Sequence, residues 1–404
     1  LSVSNTNDII NVSYVHARYP RVLSLGGETE FLMYVPSGSE SKDLLVISDY
    51  ENLNSSTLLY DLTTGSRIQV EPDLDNNLKA LVKNTGKERK CYLTNVKSIR
   101  TVSSIQSVSK TSSKFINYQK QIQDKGGVDY LLLTGTQLMS AAQDYADYRE
   151  ANGLKTIVAD MDQLYDQFSF GIRKHPMSMR NFVDAIINEW DFDPTYLFLC
   201  GKSITANYSN ARFGSAFEKN IVPTWSVLGS DVGITQGLND ESILDPVLAT
   251  GRVAVNNENE LRTYLNKVKQ YESAEPEEWM KQVLHFGGGS SEEEQADFKD
   301  YLADYEVLVE DSLFGGNVHT FLKNSSDPLQ INLSDSVENL INSGVSIMTF
   351  FGHAYGNNFD QSIDEPENYE NTGKYPFILA NSCLIGNIHT SGYSSGSERF
   401  VLAE

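Results

Sequence analysis

VSIMTFFGHA (residues 345–354) and FILANSC (residues 377–383) are the two stretches that decide the fold of this 404-residue chain. Each begins with an apolar run rich in β-branched or aromatic residues, which is typical of a buried strand. Each run ends in small or turn-forming residues and a reactive side chain, His353 in the first and Cys383 in the second. Ligands bind outside the carboxyl ends of strands in open α/β sheets. Two adjacent parallel strands would therefore bring this imidazole and this thiol together.

His353 and Cys383 are a candidate catalytic dyad. The thiolate is the nucleophilic form of cysteine, and a neighbouring base or cation favours its formation. The chain between the two residues is long enough for one crossover between parallel strands. His389 follows Cys383 closely and is an alternative base, although no comparable strand precedes it.

Strands and helices alternate from Gly126 onward, which predicts parallel sheet flanked by helices. The alternation restarts near Glu275-Pro276, so we expect two α/β subdomains, residues 113–275 and 276–404, or one long sheet with a seam. A Gly/Ser/Asn-rich section, 201–250, is predicted to be mostly loop. The predicted strands are 130–134, 156–159, 196–200, 283–286, 318–322, 345–351 and 377–380. Helices are predicted around 138–148, 179–190, 261–268 and 298–305.

Residues 1–112 have a different pattern. Short alternating runs at 29–35, 44–48, 66–70 and 89–93 are separated by Gly, Asn, Asp and Ser turns, which predicts a small all-β domain. Residues 98–113 are expected to form a connecting strand or linker. This domain is not expected to contribute catalytic residues.

Composition excludes several classes of function. The net charge of −22, with no basic cluster, argues against a nucleic-acid partner. The three cysteines are far apart and form no CxxC pair, so neither a zinc site nor a disulfide framework is expected. Cys200 ends an apolar run and Cys91 precedes Tyr92 and Leu93 in a predicted strand, so both are predicted to be buried core thiols.

Acidic and glycine-rich segments offer weaker candidates. Glu292-Glu293-Glu294 is most simply a solvated first helical turn. Gly287-Gly288-Gly289 is similar to an anion-binding loop but lacks the Lys-Ser/Thr of a nucleotide P-loop. Asp231 lies in an acidic loop region for which a solvated loop is the simpler interpretation and a Ca²⁺ site is the alternative.

Three segments resemble the gingipain family of cysteine peptidases, whose catalytic domain has a caspase-like fold. They are FFGHA with His353, YPFILANSCLIGN with Cys383, and ATGRVAVNNENELRTYLNKVKQYE at 249–272. The resemblance covers about residues 126–404. It implies acyl transfer through a thioester, with oxyanion stabilisation by the backbone N–H groups of Ala354 and Cys383. No cofactor is required for that chemistry.

The resemblance also implies acidic residues around the dyad. The family carries a Glu before a Gly pair at the strand end that corresponds to residues 285–289 here, and this chain lacks it. Asp360 or Asp364 would then orient His353, unless the pair works as a dyad. Glu293 corresponds to the region that supplies the family's acid for a basic P1 residue.

The segment YDQFSFGIRKHP (165–176) is most similar to the PorU-type sortases of the type IX secretion system. These enzymes remove C-terminal sorting domains from secreted proteins and join the cargo to a surface lipopolysaccharide. The similarity implies a location on the extracellular side of a Bacteroidetes-type outer membrane, with outer-membrane secretion components as partners. The alternatives are a secreted general endopeptidase and a catalytically silent surface-binding homologue.

The end of the chain carries a further expectation. A helix is expected from about Ser397, and the family implies at least one more strand beside the strand of Cys383. The subdomain 276–404 is therefore expected to be incomplete, with a vacant sheet edge that is completed beyond Glu404 or by a second chain.

Overall fold

A computed structural model of the protein describes residues 19–51, 56–98, 115–205, 214–226, 229–239, 242–326, 335–355, 358–361, 363, 365–392 and 394–403. Predicted linker residues 99–113 lie outside these ranges. The chain divides into two compact units, Leu1–Gln106 and Ser107–Glu404.

The first unit contains a six-stranded antiparallel sheet. Its strands are β1 (Phe31–Val35), β2 (Lys42–Ile47), β3 (Thr57–Asp61), β4 (Ser66–Pro72), β5 (Leu78–Lys83) and β6 (Arg89–Asn95). They pair in the order β1-β6-β3-β4-β5-β2. Alternate residues face a core that includes Ile47, Leu59 and Cys91, all fully buried. This confirms the predicted all-β fold.

The second unit contains two four-stranded sheets in which every pairing is parallel. The first has the order β10-β9-β7-β8 and the second β12-β11-β13-β16. Their strands are β7 (Tyr130–Thr134), β8 (Thr156–Asp160), β9 (Tyr196–Cys200), β10 (Ala249–Val253), β11 (Gln282–Gly287), β12 (Asn317–Leu322), β13 (Ile347–Phe351) and β16 (Phe377–Asn381). A short hairpin, β14 (Ala354–Tyr355) with β15 (Asn358–Phe359), follows β13. This confirms the predicted α/β class.

Helices flank the two sheets. The α-helices are α1 (Tyr118–Lys125), α2 (Met139–Ala151), α3 (Met161–Phe168), α4 (Met177–Asp184), α5 (Ser215–Lys219), α6 (Glu258–Glu272), α7 (Glu292–Val309), α8 (Asp335–Ser343) and α9 (Gly396–Leu402). A π turn, Ala185–Glu189, continues α4. Short 3-10 turns are Val96–Ser98, Thr136–Leu138, Val232–Ile234, Glu278–Lys281 and Pro366–Asn368. None of the helices in the described ranges has the length and apolarity needed to cross a membrane.

Local sequence explains elements of both parallel sheets and the start of α7. β7 is buried at every position, as expected of a parallel strand covered on both faces. Ser291 caps the start of α7, because its hydroxyl accepts a hydrogen bond from the Glu294 N–H at 3.2 Å. Three glutamates in its first turn favour the helix N-terminus.

Some elements differ from the sequence prediction. α1, α3, α5 and α8 were not predicted, because α3 follows β8 without a loop and each of the others has nine residues or fewer. The end of the predicted loop section 201–250 already belongs to β10. Within the described ranges β16 pairs only with β13 and forms an edge of its sheet.

Candidate active site

Adjacent parallel strands bring the segments carrying His353 and Cys383 to one edge of the second sheet. In the register of β13 and β16, Phe351 lies opposite Asn381. The Gly352 N–H also donates to the Asn381 carbonyl oxygen at 3.3 Å. His353 and Cys383 each come two positions after this pair, so both leave the sheet at the same level.

A tight turn presents Cys383, which is exposed. The Ile385 N–H donates to the Cys383 carbonyl oxygen at 2.8 Å, and Leu384 between them has a φ of 62°. A non-glycine residue in the left-handed region stores backbone strain, which recurs at functional sites. The other two cysteines are buried. Burial raises the pKa of Cys200 well above its usual value and that of Cys91 to about 11, so neither thiol readily forms a thiolate.

The carboxylate of Glu294 contacts the His353 ring. The Nε2 atom of His353 lies 3.2 Å from Oε2 of Glu294, and the two side chains are 35% and 41% exposed. The same carboxylate oxygen accepts a hydrogen bond from the Ser290 N–H at 2.7 Å. That backbone bond, followed by the bond to His353, lowers the pKa of Glu294 below its usual value. A carboxylate in this position fixes the orientation of the ring.

Sequence analysis missed Glu294 although a local signal was present. Ser291 and Glu294 have the spacing of a capping box, in which the glutamate at the third helical position turns back toward the helix start. That geometry turns the Glu294 side chain toward the helix start, whereas the Glu293 side chain is exposed to solvent. Only the packing of α7 against β11 and β12 shows that the helix start lies beside His353.

Asp360 is buried, and its backbone N–H donates to the His353 carbonyl oxygen at 2.9 Å. Its carboxylate accepts a hydrogen bond from the Gly289 N–H at 2.9 Å and lies 3.5 Å from the Lys323 ammonium. Asp360 therefore joins the ends of β11, β12 and β13. The other predicted orienting acid, Asp364, lies outside the described residues.

The glycines after β11 make room for this carboxylate. A Cβ at Gly288 would collide with the Asp360 side chain, and Gly289 has a φ of 120°. The Gly287–Gly289 run is thus explained by packing and by backbone conformation, without an anion.

Ala354 begins the β14–β15 hairpin opposite Phe359. Because Asp360 N–H bonds to His353 O, Ala354 and Phe359 form a non-hydrogen-bonded pair, and the ladder between them does not use the Ala354 N–H. Ala354 has no positive φ, so alanine costs no backbone strain here. The N–H groups of Ala354 and Cys383 remain the predicted oxyanion donors.

Asp231 and His389 lie in a second, buried polar cluster. The Asp231 carboxylate binds the Arg252 guanidinium through two contacts of 2.6 and 2.8 Å. Burial raises its pKa, but Arg252 more than offsets this and holds the pKa below the usual value. His389 is 8% exposed and its Nδ1 contacts the Ser203 hydroxyl. Among the described residues no three His, Cys, Asp or Glu side chains are grouped to hold a metal ion, and the Ca²⁺ site at Asp231 stays a prediction.

Comparison with known families gives one match. The family model for Peptidase family C25 matches residues 123–404 of the chain. No curated protein sequence matches it.

Solved structures are similar to this chain at low sequence identity, and those with a TM-score above 0.5 share its fold. One, described as "Structure of Protease", has a TM-score of 0.52 at 15% identity and covers 74% of this chain and 60% of its own. The complex of Porphyromonas gingivalis RgpB pro- and mature domains has a TM-score of 0.52 at 16% identity. The match covers 68% of this chain and 60% of the RgpB chain. Dimeric latent PorU from Porphyromonas gingivalis has a TM-score of 0.42 at 16% identity. The match covers 68% of this chain and 30% of the PorU chain. The chain thus spans 60% of the length of the first two proteins.

Proposed function

Because this chain belongs to peptidase family C25, the gingipain family, we propose that it is a cysteine peptidase with Cys383 as nucleophile and His353 as acid–base partner. The observation that carries the proposal is the register of β13 and β16, which brings both residues to the same level of one sheet edge. The contact between His353 and Glu294 supports it, because thiolate chemistry requires an oriented imidazole at the same site as an accessible thiol.

The proposed reaction begins when the Cys383 thiol gives its proton to His353. The thiolate sulfur then attacks the carbonyl carbon of the scissile peptide, and the N–H groups of Ala354 and Cys383 stabilise the oxyanion. The tetrahedral intermediate collapses to a thioester as the C–N bond breaks, and the imidazolium of His353 protonates the leaving amine. Water or an acceptor amine then attacks the thioester, losing a proton to His353 and releasing the thiolate.

Glu294 has a positioning role in this scheme. Its lowered pKa keeps it ionised at neutral pH, so it accepts a hydrogen bond from the Nε2–H of His353. That bond fixes the orientation of the imidazole ring. It also stabilises the imidazolium that forms after proton transfer.

The finer proposal is that the acyl-enzyme is transferred to an amine, as in a type IX secretion sortase. It rests on the similarity of residues 165–176 to PorU-type sortases. In this segment Phe170 is 97% exposed and Ile172 is 54% exposed, which suits contact with a partner protein. The substrates would be secreted proteins with C-terminal sorting domains, the acceptor a surface lipopolysaccharide, and the location the outer face of the outer membrane.

Two experiments test the proposal. A peptide bearing an electrophilic ketone should form an adduct on Cys383 at neutral pH, and Cys383→Ala should abolish the adduct while the fold persists. His353→Ala should slow labelling, whereas His319→Ala, a control at the amino end of β12, should not. A wild-type chain that forms no adduct would indicate a catalytically silent homologue.

Mass spectrometry of the processed cargo then separates the remaining alternatives. A conjugated C-terminus supports the sortase. A free carboxylate on every product would identify a general endopeptidase and refute the transfer step.

A further inference from the structure

The turn after β9, residues 201–205, is buried although it lies outside the sheet. Lys202, Ser203, Ile204 and Thr205 are each 5% exposed or less. Loops normally run over the protein surface, and lysine is rarely buried without a partner. Something must therefore cover this turn and satisfy its polar groups.

The segment that follows Cys383 provides the partners. The Thr205 N–H donates to the His389 carbonyl oxygen at 3.0 Å, and the Ser203 hydroxyl contacts Nδ1 of His389. The Lys202 ammonium pairs with the Glu398 carboxylate, and the two side chains are 5% and 2% exposed. Three contacts thus join a turn of the first sheet to residues beyond the candidate nucleophile.

Glu398 connects the ion pair to the start of α9. Its other carboxylate oxygen accepts hydrogen bonds from the Ser395 N–H at 2.8 Å and the Ser395 hydroxyl at 2.9 Å. This is the capping box of α9, so Lys202 binds a side chain that is already fixed by its own helix.

A short path of hydrogen bonds leads from α9 back to Cys383. The Ser397 N–H, next to Glu398, donates to the Ile385 carbonyl oxygen at 3.0 Å. The Ile385 N–H in turn closes the tight turn on the Cys383 carbonyl oxygen at 2.8 Å. The position of Cys383 therefore depends on where α9 is held. It also depends on His389, because the turns between them are closed by the Asn387 N–H on the Leu384 carbonyl oxygen at 2.9 Å and the Ile388 N–H on the Gly386 carbonyl oxygen at 2.8 Å.

We propose that Lys202 and Ser203 are positioning residues for Cys383, holding the residues that follow it through Glu398 and His389. β9 and β16 belong to different sheets, so strand pairing does not align the turn after β9 with the nucleophile. Side-chain contacts supply that alignment. The inference rests on the proposed function, because it assigns the contacts a role in thiol chemistry.

The charge state of His389 agrees with this role. Burial, followed by the nearby Arg252, lowers the pKa of His389 to about 4. The charged groups facing the ring are Asp231, Arg252 and Lys202, so a proton on His389 would add a third positive charge to the cluster. At neutral pH the ring is uncharged and suited to a hydrogen bond with Ser203.

Ser203→Ala tests the proposal, with Ser169→Ala as matched control. Ser169 is also buried, but its hydroxyl binds the carbonyl oxygens of Tyr165 and Ile172, away from Cys383. For inactivation by the peptide ketone, Ser203→Ala should lower the maximal rate at least tenfold and change the half-saturating concentration less than threefold. Ser203→Thr, which keeps the hydroxyl, should restore the rate. A purely structural role would leave the maximal rate of the folded variant unchanged.

Hydrogen exchange provides a readout that does not depend on catalysis. The amides of Ile385 and Ser397 should exchange at least tenfold faster in Ser203→Ala than in wild type or Ser169→Ala. Unchanged exchange would overturn the inference. If the wild type forms no ketone adduct, the proposed function fails, and the exchange result alone still decides whether the turn holds Cys383 in place.

Glu398→Gln is the second variant if Ser203→Ala does not fold. It keeps the shape of the capping side chain and removes the charge facing Lys202, so the same loss of maximal rate and faster exchange are expected. Lys202→Met in that background should restore part of the rate, because it removes the buried ammonium that Glu398→Gln leaves without a counter-charge. If every variant except Ser169→Ala is unfolded, the contacts serve folding alone and the positioning role is refuted.

Discussion

Replacing Asp360 with asparagine should destabilise the second unit by about 3–5 kcal/mol. Asp360 and Lys323 are both fully buried, with 3.5 Å between the ammonium and the carboxylate. The substitution keeps the shape of the side chain and removes its charge. The Lys323 ammonium would then be buried without a counter-charge.

The magnitude follows from the separation of the two charges. At 3.5 Å and an effective dielectric constant of about 20, their attraction is about 5 kcal/mol. Removing one member of a buried pair costs about 3–5 kcal/mol in proteins, whereas replacing both members with apolar groups is often neutral. The double variant Asp360→Asn/Lys323→Met should therefore recover most of the lost stability.

Urea unfolding followed by tryptophan fluorescence is the appropriate assay, because all three tryptophans lie in the second unit. Asp297→Asn, an exposed position on α7, is the control and should change the free energy of unfolding by less than about 0.5 kcal/mol. A loss below about 1 kcal/mol for Asp360→Asn would refute the reasoning. So would a double variant no more stable than the single one. Labelling of Cys383 should also slow in Asp360→Asn, because the carboxylate holds the ends of β11 and β12 to a residue whose backbone N–H binds the His353 carbonyl oxygen.

Four other perturbations have defined outcomes. Glu294→Gln should slow labelling of Cys383 by about 10–100-fold with little change in melting temperature. Glu293→Gln should leave labelling unchanged, and a selective loss of substrates with a basic P1 residue would instead assign Glu293 to the pocket. For His389, the folded pKa of about 4 lies below the unfolded value of 6.5, so the unfolded chain alone takes up a proton between these pH values. Stability should fall by about 3 kcal/mol as the pH drops from 6.5 to 4, and a His389→Gln variant with the same pH slope would contradict this. Leu384 has a φ of 62°, which glycine adopts readily and a β-branched residue does not. Leu384→Gly should therefore change the free energy of unfolding by less than about 1 kcal/mol, and Leu384→Val should cost more, as measured by urea midpoints.

The fold could be predicted largely from local patterns. All seven predicted strands of the α/β region are present within two residues at each end. Buried parallel strands are continuous apolar runs, and that signal needs no knowledge of distant residues. The buried state of Cys200 followed from such a run, and that of Cys91 followed from its place in a predicted strand of the all-β domain.

The surroundings of the candidate dyad were only partly predictable. Glu294 was grouped with its neighbours as a solvated acid, although the capping-box spacing already set it apart. Asp360 was predicted to act on the His353 ring, whereas its visible contacts are with the His353 backbone, Gly289 and Lys323. Residue spacing shows which face of a helix a side chain occupies, but not which strand end that face meets.

The sequence alone determined the strands, their parallel pairing, and two reactive side chains at strand ends, because these depend on short-range hydrophobic periodicity and chain connectivity. Tertiary structure alone decided which groups surround those side chains. Glu294 reaches His353 from the start of another helix, and Lys202 and Ser203 meet Glu398 and His389 from another sheet. Such contacts join residues far apart in sequence, and their geometry is set by how helices and sheets pack, which no local pattern encodes.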